Sequence, residues 1–192
     1  EPLEVAVVIG VDPCTLLASQ ALLALDRDEL ELAGALRGAP TEVVKCVTSD
    51  LLIPANAEIV IEGRLLPGVR ESDGPFGEFP QYYGSSNDAH VIQIDAITHR
   101  AEPLYHTIVG GGLEHLIIGA IPREASLLEQ LRGNYPNILD LHLSFGGTCR
   151  YNLVIKIEAK YGGQAKNIIM AAFGAHFDIK QVTVVDEDAD IH

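Results

Sequence analysis

The chain has 192 residues, 47% of them hydrophobic, and sets 27 Asp plus Glu against 13 Lys plus Arg for a formal net charge of -14. No basic cluster accompanies that charge, which argues against nucleic acid and anionic membrane as partners. The longest apolar runs fall well short of the ~20 residues that span a bilayer, and no charged-then-apolar leader is visible.

A chain of this mass is expected to fold with roughly 9,000 Å² of surface, burying about 70% of what the unfolded chain exposes. Cys14, Cys46 and Cys149 are few, odd in number and widely spaced. That pattern argues against a disulfide framework and for a reducing, cytoplasmic setting.

In chain order, 4–9 reads as a buried strand. Asp12-Pro13 then reads as a helix start, Asp capping and Pro at the first helical position. Leu17, Ala21, Ala24 and Leu25 recur at helical spacing. Asp28-Glu29-Leu30-Glu31 resembles a capping box opening a second short helix that stops near Gly38-Ala39-Pro40.

The middle is strand-rich. Ile59, Ile61 and Leu65 alternate with Glu58, Glu62 and Arg64, which predicts a half-buried strand. Ile92, Ile94 and Ala96 alternate around Gln93 and Asp95, and 104–109 reads as a further strand. Pro122 is expected to open a helix with Leu127, Leu128 and Leu131 on one face. Tyr151, Leu153, Ile155 and Ile157 alternate with Asn152, Lys156 and Glu158. Ala165, Ile168, Ile169, Ala172 and Phe173 follow helical periodicity, and 179–185 closes as a strand.

The stretch Glu71-Ser-Asp-Gly-Pro-Phe-Gly-Glu78-Phe-Pro-Gln-Tyr-Tyr-Gly84 carries the chemistry. It places Asp73 and Glu78 either side of a Gly-Pro-Phe-Gly turn, which lets the two carboxylates converge. Two neighbouring carboxylates do not both ionise cheaply, so one keeps its proton to higher pH and can deliver it. Pro75, Phe76, Phe79 and Pro80 would push the same way. An ordinary solvated Gly/Pro loop gives the same composition, and spacing alone leaves that alternative open.

Asp73-Gly-Pro-Phe-Gly-Glu78 resembles the acidic signature of the UbiD-type decarboxylases, which commonly read Glu-Gly-Pro-Phe-Gly-Glu. Thr41-Glu-Val-Val-Lys-Cys46 and Asp50–Gly63 resemble the strands and loop before that signature. Gly147-Thr-Cys-Arg-Tyr151 and Val184-Val-Asp-Glu-Asp-Ala-Asp190 resemble later segments, in the same order.

The resemblance implies an α/β (α+β) fold: a split β-barrel of flavin-reductase type with flanking helices. Residues 1–40 would be the helical end of a cofactor-binding region, 41–185 the split-barrel domain, and 186–192 an acidic hinge toward a further C-terminal domain. The sequence thus reads as the central portion of a longer enzyme, inactive by itself.

The same resemblance implies reversible decarboxylation of an aromatic (hydroxybenzoate-type) or unsaturated carboxylic acid with prenylated FMN. A flavin prenyltransferase would supply the cofactor, and the full-length protein would be a homo-oligomer. Glu78 would donate the proton. Asp73, shorter by one methylene than the usual glutamate, would hold an arginine that lies outside this sequence. Glu29 stands where the family places a ligand to manganese (or magnesium), the ion that grips the cofactor phosphate. Ser19 and Gln20 would contact the cofactor, and Ala18, Ser19 and Ala21 a potassium ion. Plain helix surface is the alternative for these positions.

His115, after Gly110-Gly-Gly-Leu-Glu114, is placed by the resemblance over the substrate; a structural histidine is its alternative. No histidine pair has HExxH spacing. Asp186, Asp188 and Asp190 imitate a calcium loop but lack its glycine at the sixth position, which is Ile191. The rival reading of the chain is non-catalytic, a split-barrel module that binds flavin or assembles subunits.

Overall fold

The computed structural model describes every residue except Ala24. The described residues form two compact units, 1–18 with 27–110, and 19–26 with 111–192. The expected mixture of helix and strand is present: four α-helices and three small sheets among the described residues.

In the first unit, strands β1 (Leu3–Ile9), β4 (Ile59–Asp73) and β5 (Asn87–His99) form an antiparallel sheet in the order β1-β4-β5. Strands β2 (Val43–Lys45) and β3 (Leu52–Pro54) make a separate two-stranded ribbon. Its loop and strands pack on one face of the larger sheet through Cys46, Ile53 and Val60, with Ala6 and Val8 alongside.

The opposite face is aliphatic across all three strands. Val7, Ile61 and Ile97 form one cross-strand row, and Leu3, Leu65 and Ile92 another. Ile94 and Ile97 are 54% and 56% exposed. The 4–9 strand is therefore half-buried, not buried as expected. The buried face of β4 also differs from the alternation: Val60 and Glu62 are covered, while Ile59 and Ile61 are only half-covered. Covering by the 46–53 loop decides the face, and the apolar pattern did not encode where that loop lies.

Helix α1 (Pro13–Ala18) begins as predicted. Asp12 Oδ1 accepts from the N–H of Cys14 (3.0 Å) and Thr15 (3.3 Å), and Asp12 also pairs with Arg37. The helix stops at Ala18, so the stripe through Ala21 and Leu25 is not helical; Ala24 lies outside the described residues. Leu22 and Leu25 are exposed, and a short helix without packing for its apolar face is marginal. Helix α2 (Glu29–Arg37) follows the expected signals, with Asp28 Oδ1 accepting from Leu30 N–H at 2.7 Å and Gly38 in the left-handed region at φ 74°.

The segment 104–109 is not a strand. The N–H of Leu104 donates to Glu58 Oε2 at 3.0 Å instead of to a ladder partner, and Leu104, Tyr105 and Val109 are exposed.

The second unit is built on strands β6 (Ile138–Leu143), β7 (Asn152–Ile157) and β8 (Gln181–Val185), with β6–β7 antiparallel and β7–β8 parallel. Helix α4 (Gln164–Ala175) is the crossover that a parallel pair requires. Leu153, Ile155 and Ile157 of β7 are buried as their alternation predicts, against Leu127 and Leu131 of α3 (Leu113–Asn134) and Ile168 and Ala172 of α4.

Helix α3 begins nine residues before Pro122, which sits buried inside it instead of opening it. A proline costs an internal helical hydrogen bond. Here the apolar face that continues to Leu127 and Leu131 offsets the loss. Strand β6 was not anticipated from the sequence.

Candidate active site

Asp73 is the last residue of β4 and lies directly across from Asn87, the first residue of β5. The strand ends are pinned beside it: Ser72 Oγ and Ser86 Oγ are 2.8 Å apart, and Ser86 Oγ donates to the carbonyl of Asp73 at 3.1 Å.

The chain then forms a small hairpin. Gly84 N–H donates to Phe76 O (3.0 Å), Gly77 pairs with Tyr83, and Glu78 N–H donates to Tyr82 O (2.9 Å). Gln81 N–H returns to Glu78 O at 2.9 Å, with Gln81 at φ 66°. A three-residue connection closed by a left-handed residue is a common hairpin geometry. Both backbone polar groups of Glu78 are thus tied down.

The side chain of Glu78 lies over Gly84, where an added Cβ would approach its Cγ to 3.2 Å. Gly110 approaches the same hairpin; a Cβ there would meet the Gly77 carbonyl oxygen at 2.7 Å.

Asp73 and Glu78 line one cavity of about 310 Å³ together with Phe76, Gly84, Ser85, Asn87 and Ala89. The two acids therefore share a single small space. Glu78 is half-buried and Asp73 exposed, and Phe76 is 51% exposed. The apolar cover expected from the flanking Pro and Phe residues is incomplete within this chain.

Of the other predicted residues, Glu29 is the exposed first residue of α2. Ala18 ends α1 and is buried, whereas Ser19 and Gln20 are exposed in a turn and Ala21 is half-buried. Glu29 and Ala18 belong to the first unit; Ser19, Gln20 and Ala21 belong to the second. Among the described residues no group of three or more His, Cys, Asp or Glu could hold a metal ion. Glu29 is a hard oxygen donor of the right kind for a divalent cation, but by itself an incomplete donor set.

His115 lies in the first turn of α3, half-buried. Gly111 N–H donates to its Nδ1 at 3.1 Å, so the neutral ring carries its proton on Nε2.

Two arginines of β4, Arg64 and Arg70, are engaged away from the acid pair. Arg64 Nε is 2.8 Å from Asp95 Oδ2, and Arg70 Nη2 is 3.2 Å from His90 Nε2. Arg150 packs against Gly119, whose Cβ would come within 2.6 Å of its guanidinium. Burial first, and then the Arg150 charge, draw the neighbouring Arg123 below its usual range, while Asp178 at 3.4 Å opposes them. No signal along the chain marks this approach, because 123 and 150 meet only in the folded second unit. Burial pushes the Cys46 and Cys149 thiols up, as inert structural cysteines behave.

Two contiguous family profiles account for almost the whole chain: a 3-octaprenyl-4-hydroxybenzoate carboxy-lyase Rift-related domain matches residues 1–113, and the carboxy-lyase C-terminal domain residues 116–192. The chain belongs to the UbiD family.

Among UbiD relatives, the anhydromevalonate phosphate decarboxylase of Methanothermobacter thermautotrophicus is 38% identical over 191 residues, covering 100% of this chain and 45% of that protein. The UbiD-class enzyme HmfF of Pelotomaculum thermopropionicum, solved with prFMN, superposes with a TM-score of 0.96 at 53% identity, over 100% of this chain and 45% of HmfF. The 3,4-dihydroxybenzoic acid decarboxylase AroY of Klebsiella pneumoniae gives 0.89 at 30% identity, over 99% and 42%. The chain thus spans less than half the length of the relatives it matches. No helix among the described residues is long and apolar enough to cross a membrane.

Proposed function

We propose that this UbiD chain forms part of a decarboxylase of unsaturated or aromatic carboxylic acids, with Glu78 as the proton donor. The observation that carries the reading is the shared cavity of Asp73 and Glu78, held by a hairpin that fixes the Glu78 backbone at both ends.

Loss of carbon dioxide leaves a carbanion-like carbon that must be protonated. A carboxylic acid within reach of that carbon performs the step. Asp73 would orient a cationic partner and hold the negative charge of the pair. Bound prenylated FMN would supply the electron sink for the departing carboxylate. Glu29 would contribute one carboxylate to the cation holding its phosphate, with Ser19 and Gln20 contacting the cofactor and the 18–21 segment a potassium ion. The remaining metal ligands would come from outside the described residues. His115, its Nδ1 engaged by Gly111, would present its Nε2 proton to an oxygen of the substrate.

The substrate class stays broad because relatives differ: the anhydromevalonate phosphate decarboxylase acts on a non-aromatic acid, whereas AroY takes a dihydroxybenzoate. The HmfF structure with prFMN supports the choice of cofactor.

The test is Glu78→Gln in the full-length, prenylated-FMN-loaded enzyme, assayed for carbon dioxide release from unsaturated and hydroxybenzoic acids. Turnover is expected to fall by about two powers of ten or more. Near-normal turnover with full cofactor occupancy would overturn the assignment and favour a flavin-binding or assembly role.

A further inference from the structure

Asn87 stands out among the residues around the acid pair. It faces Asp73 directly across β4 and β5, and it lines the same cavity as Asp73 and Glu78. Directly opposed residues place their Cβ atoms about 4.5–5.5 Å apart, so the Asp73 and Asn87 side chains leave the sheet side by side.

The amide is also held from both ends. Asn87 Nδ2 donates to the carbonyl of Ser85 at 3.2 Å, and Ser85 Oγ donates to Asn87 Oδ1 at 3.4 Å. Ser85 lines the cavity too. Among the lining residues Asn87 is the one amide, and no cationic side chain is included. The strand residue facing Asp73 is therefore a neutral amide, hydrogen-bonded to Ser85.

We propose that Asn87, clamped by Ser85, is a positioning residue for the Asp73–Glu78 pair. It keeps the cavity wall opposite Asp73 uncharged and sets where Asp73 lies. The proposal rests on the reading of Glu78 as proton donor.

The charged and titratable groups around Asn87 are few. Glu71 shares its sheet face, two residues before Asp73. Arg70, Asp88 and His90 are on the other face, and the hairpin contributes Glu78 and Tyr83. None but Asp73 and Glu78 lines the cavity.

The near-isosteric variant Asn87→Asp makes the proposal testable. A third carboxylate opposite Asp73 disfavours further ionisation nearby, so the donor keeps its proton longer. In the loaded full-length enzyme, the high-pH fall of kcat is expected to move upward by about one pH unit. Asn87→Ala adds no charge. It should leave that limb in place and lower kcat by about tenfold through lost positioning. Ser85→Ala, which removes only the clamp, should lower kcat without changing the melting temperature.

A merely structural asparagine would change melting temperature but leave the pH profile fixed. An unmoved limb in folded Asn87→Asp would overturn the proposal. If that variant does not fold, unchanged kcat in Ser85→Ala would do the same. Glu78→Gln run in parallel separates the two readings. If it is inactive while Asn87→Asp shows the parental profile, only the role of Asn87 fails; if it stays active, both fail.

Discussion

Replacing Glu62 by glutamine should loosen the first unit far more than a one-atom change suggests. Glu62 is 1% exposed on β4. Its Oε1 accepts from Val47 N–H at 2.9 Å, and its Oε2 from the Thr48 N–H at 2.7 Å and Thr48 Oγ1 at 2.5 Å. These bonds staple the 46–49 loop to the sheet. A glutamine keeps one acceptor oxygen and turns an NH2 group toward a remaining N–H. One charge-assisted bond is lost, worth about 1.5–3 kcal/mol, and a buried donor is stranded at about 1–3 kcal/mol. Relief from burying a charge offsets part of this, leaving a net loss of about 2–4 kcal/mol.

With a urea slope of about 2 kcal/mol/M, the middle of the usual range, the midpoint should fall by about 1–2 M. The pH dependence gives a second reading. Burial favours the protonated carboxyl, but the Thr48 hydroxyl and the Val47 and Thr48 amides overcome it and hold Glu62 below the usual carboxylate range. Its contribution is therefore fully present above the ordinary glutamate range near ~4.3 and is lost as pH falls through the lowered folded value. Urea titrations at pH 7 and below pH 4, with hydrogen exchange at the Val47 and Thr48 amides, measure both. A midpoint within about 0.3 M of the parent at pH 7, or an identical acid slope in the variant, would refute the argument.

The remaining expectations concern the metal and the second core. Glu29→Ala in the full-length protein should lower both metal and flavin content after purification, and unchanged metal content would return Glu29 to ordinary helix surface. Leu153→Ala, at a position 1% exposed in the centre of the β7 core, should cost about 2–5 kcal/mol. Chemical denaturation of the second unit checks it, and a loss under about 1 kcal/mol would mean that the core collapses around the gap.

Much of the fold was legible where local chemistry decides it. The caps at Asp12, Asp28 and Gly38 formed where their residue types demanded, because a cap is settled within one turn of chain. Strand β7 followed its alternation because both neighbours and a covering helix layer were present to bury one side. Failures came where the answer depended on something distant. The α1 stripe needed a packing partner and ended at Ala18. Proline 122 was tolerated because tertiary burial outweighed a local defect. Strand β6, with Asp140 and His142 breaking its apolar run, needed its β7 partner to be recognised.

Glu62 shows the same limit from the polar side. Period-two alternation assigned it to the water face, as it would any glutamate flanked by isoleucines. The three donors that make its burial affordable come from residues 47 and 48, fourteen and fifteen positions away, so no window along β4 contains the reason. The acid pair behaved differently. Asp73 and Glu78 reach one cavity because a turn brings near neighbours together, an outcome their spacing permitted while leaving an ordinary solvated loop open. Asn87 escaped notice because strand pairing, not sequence proximity, delivers it to the same wall. A site made from one hairpin can be read along the chain; the wall opposite it requires the register of the sheet.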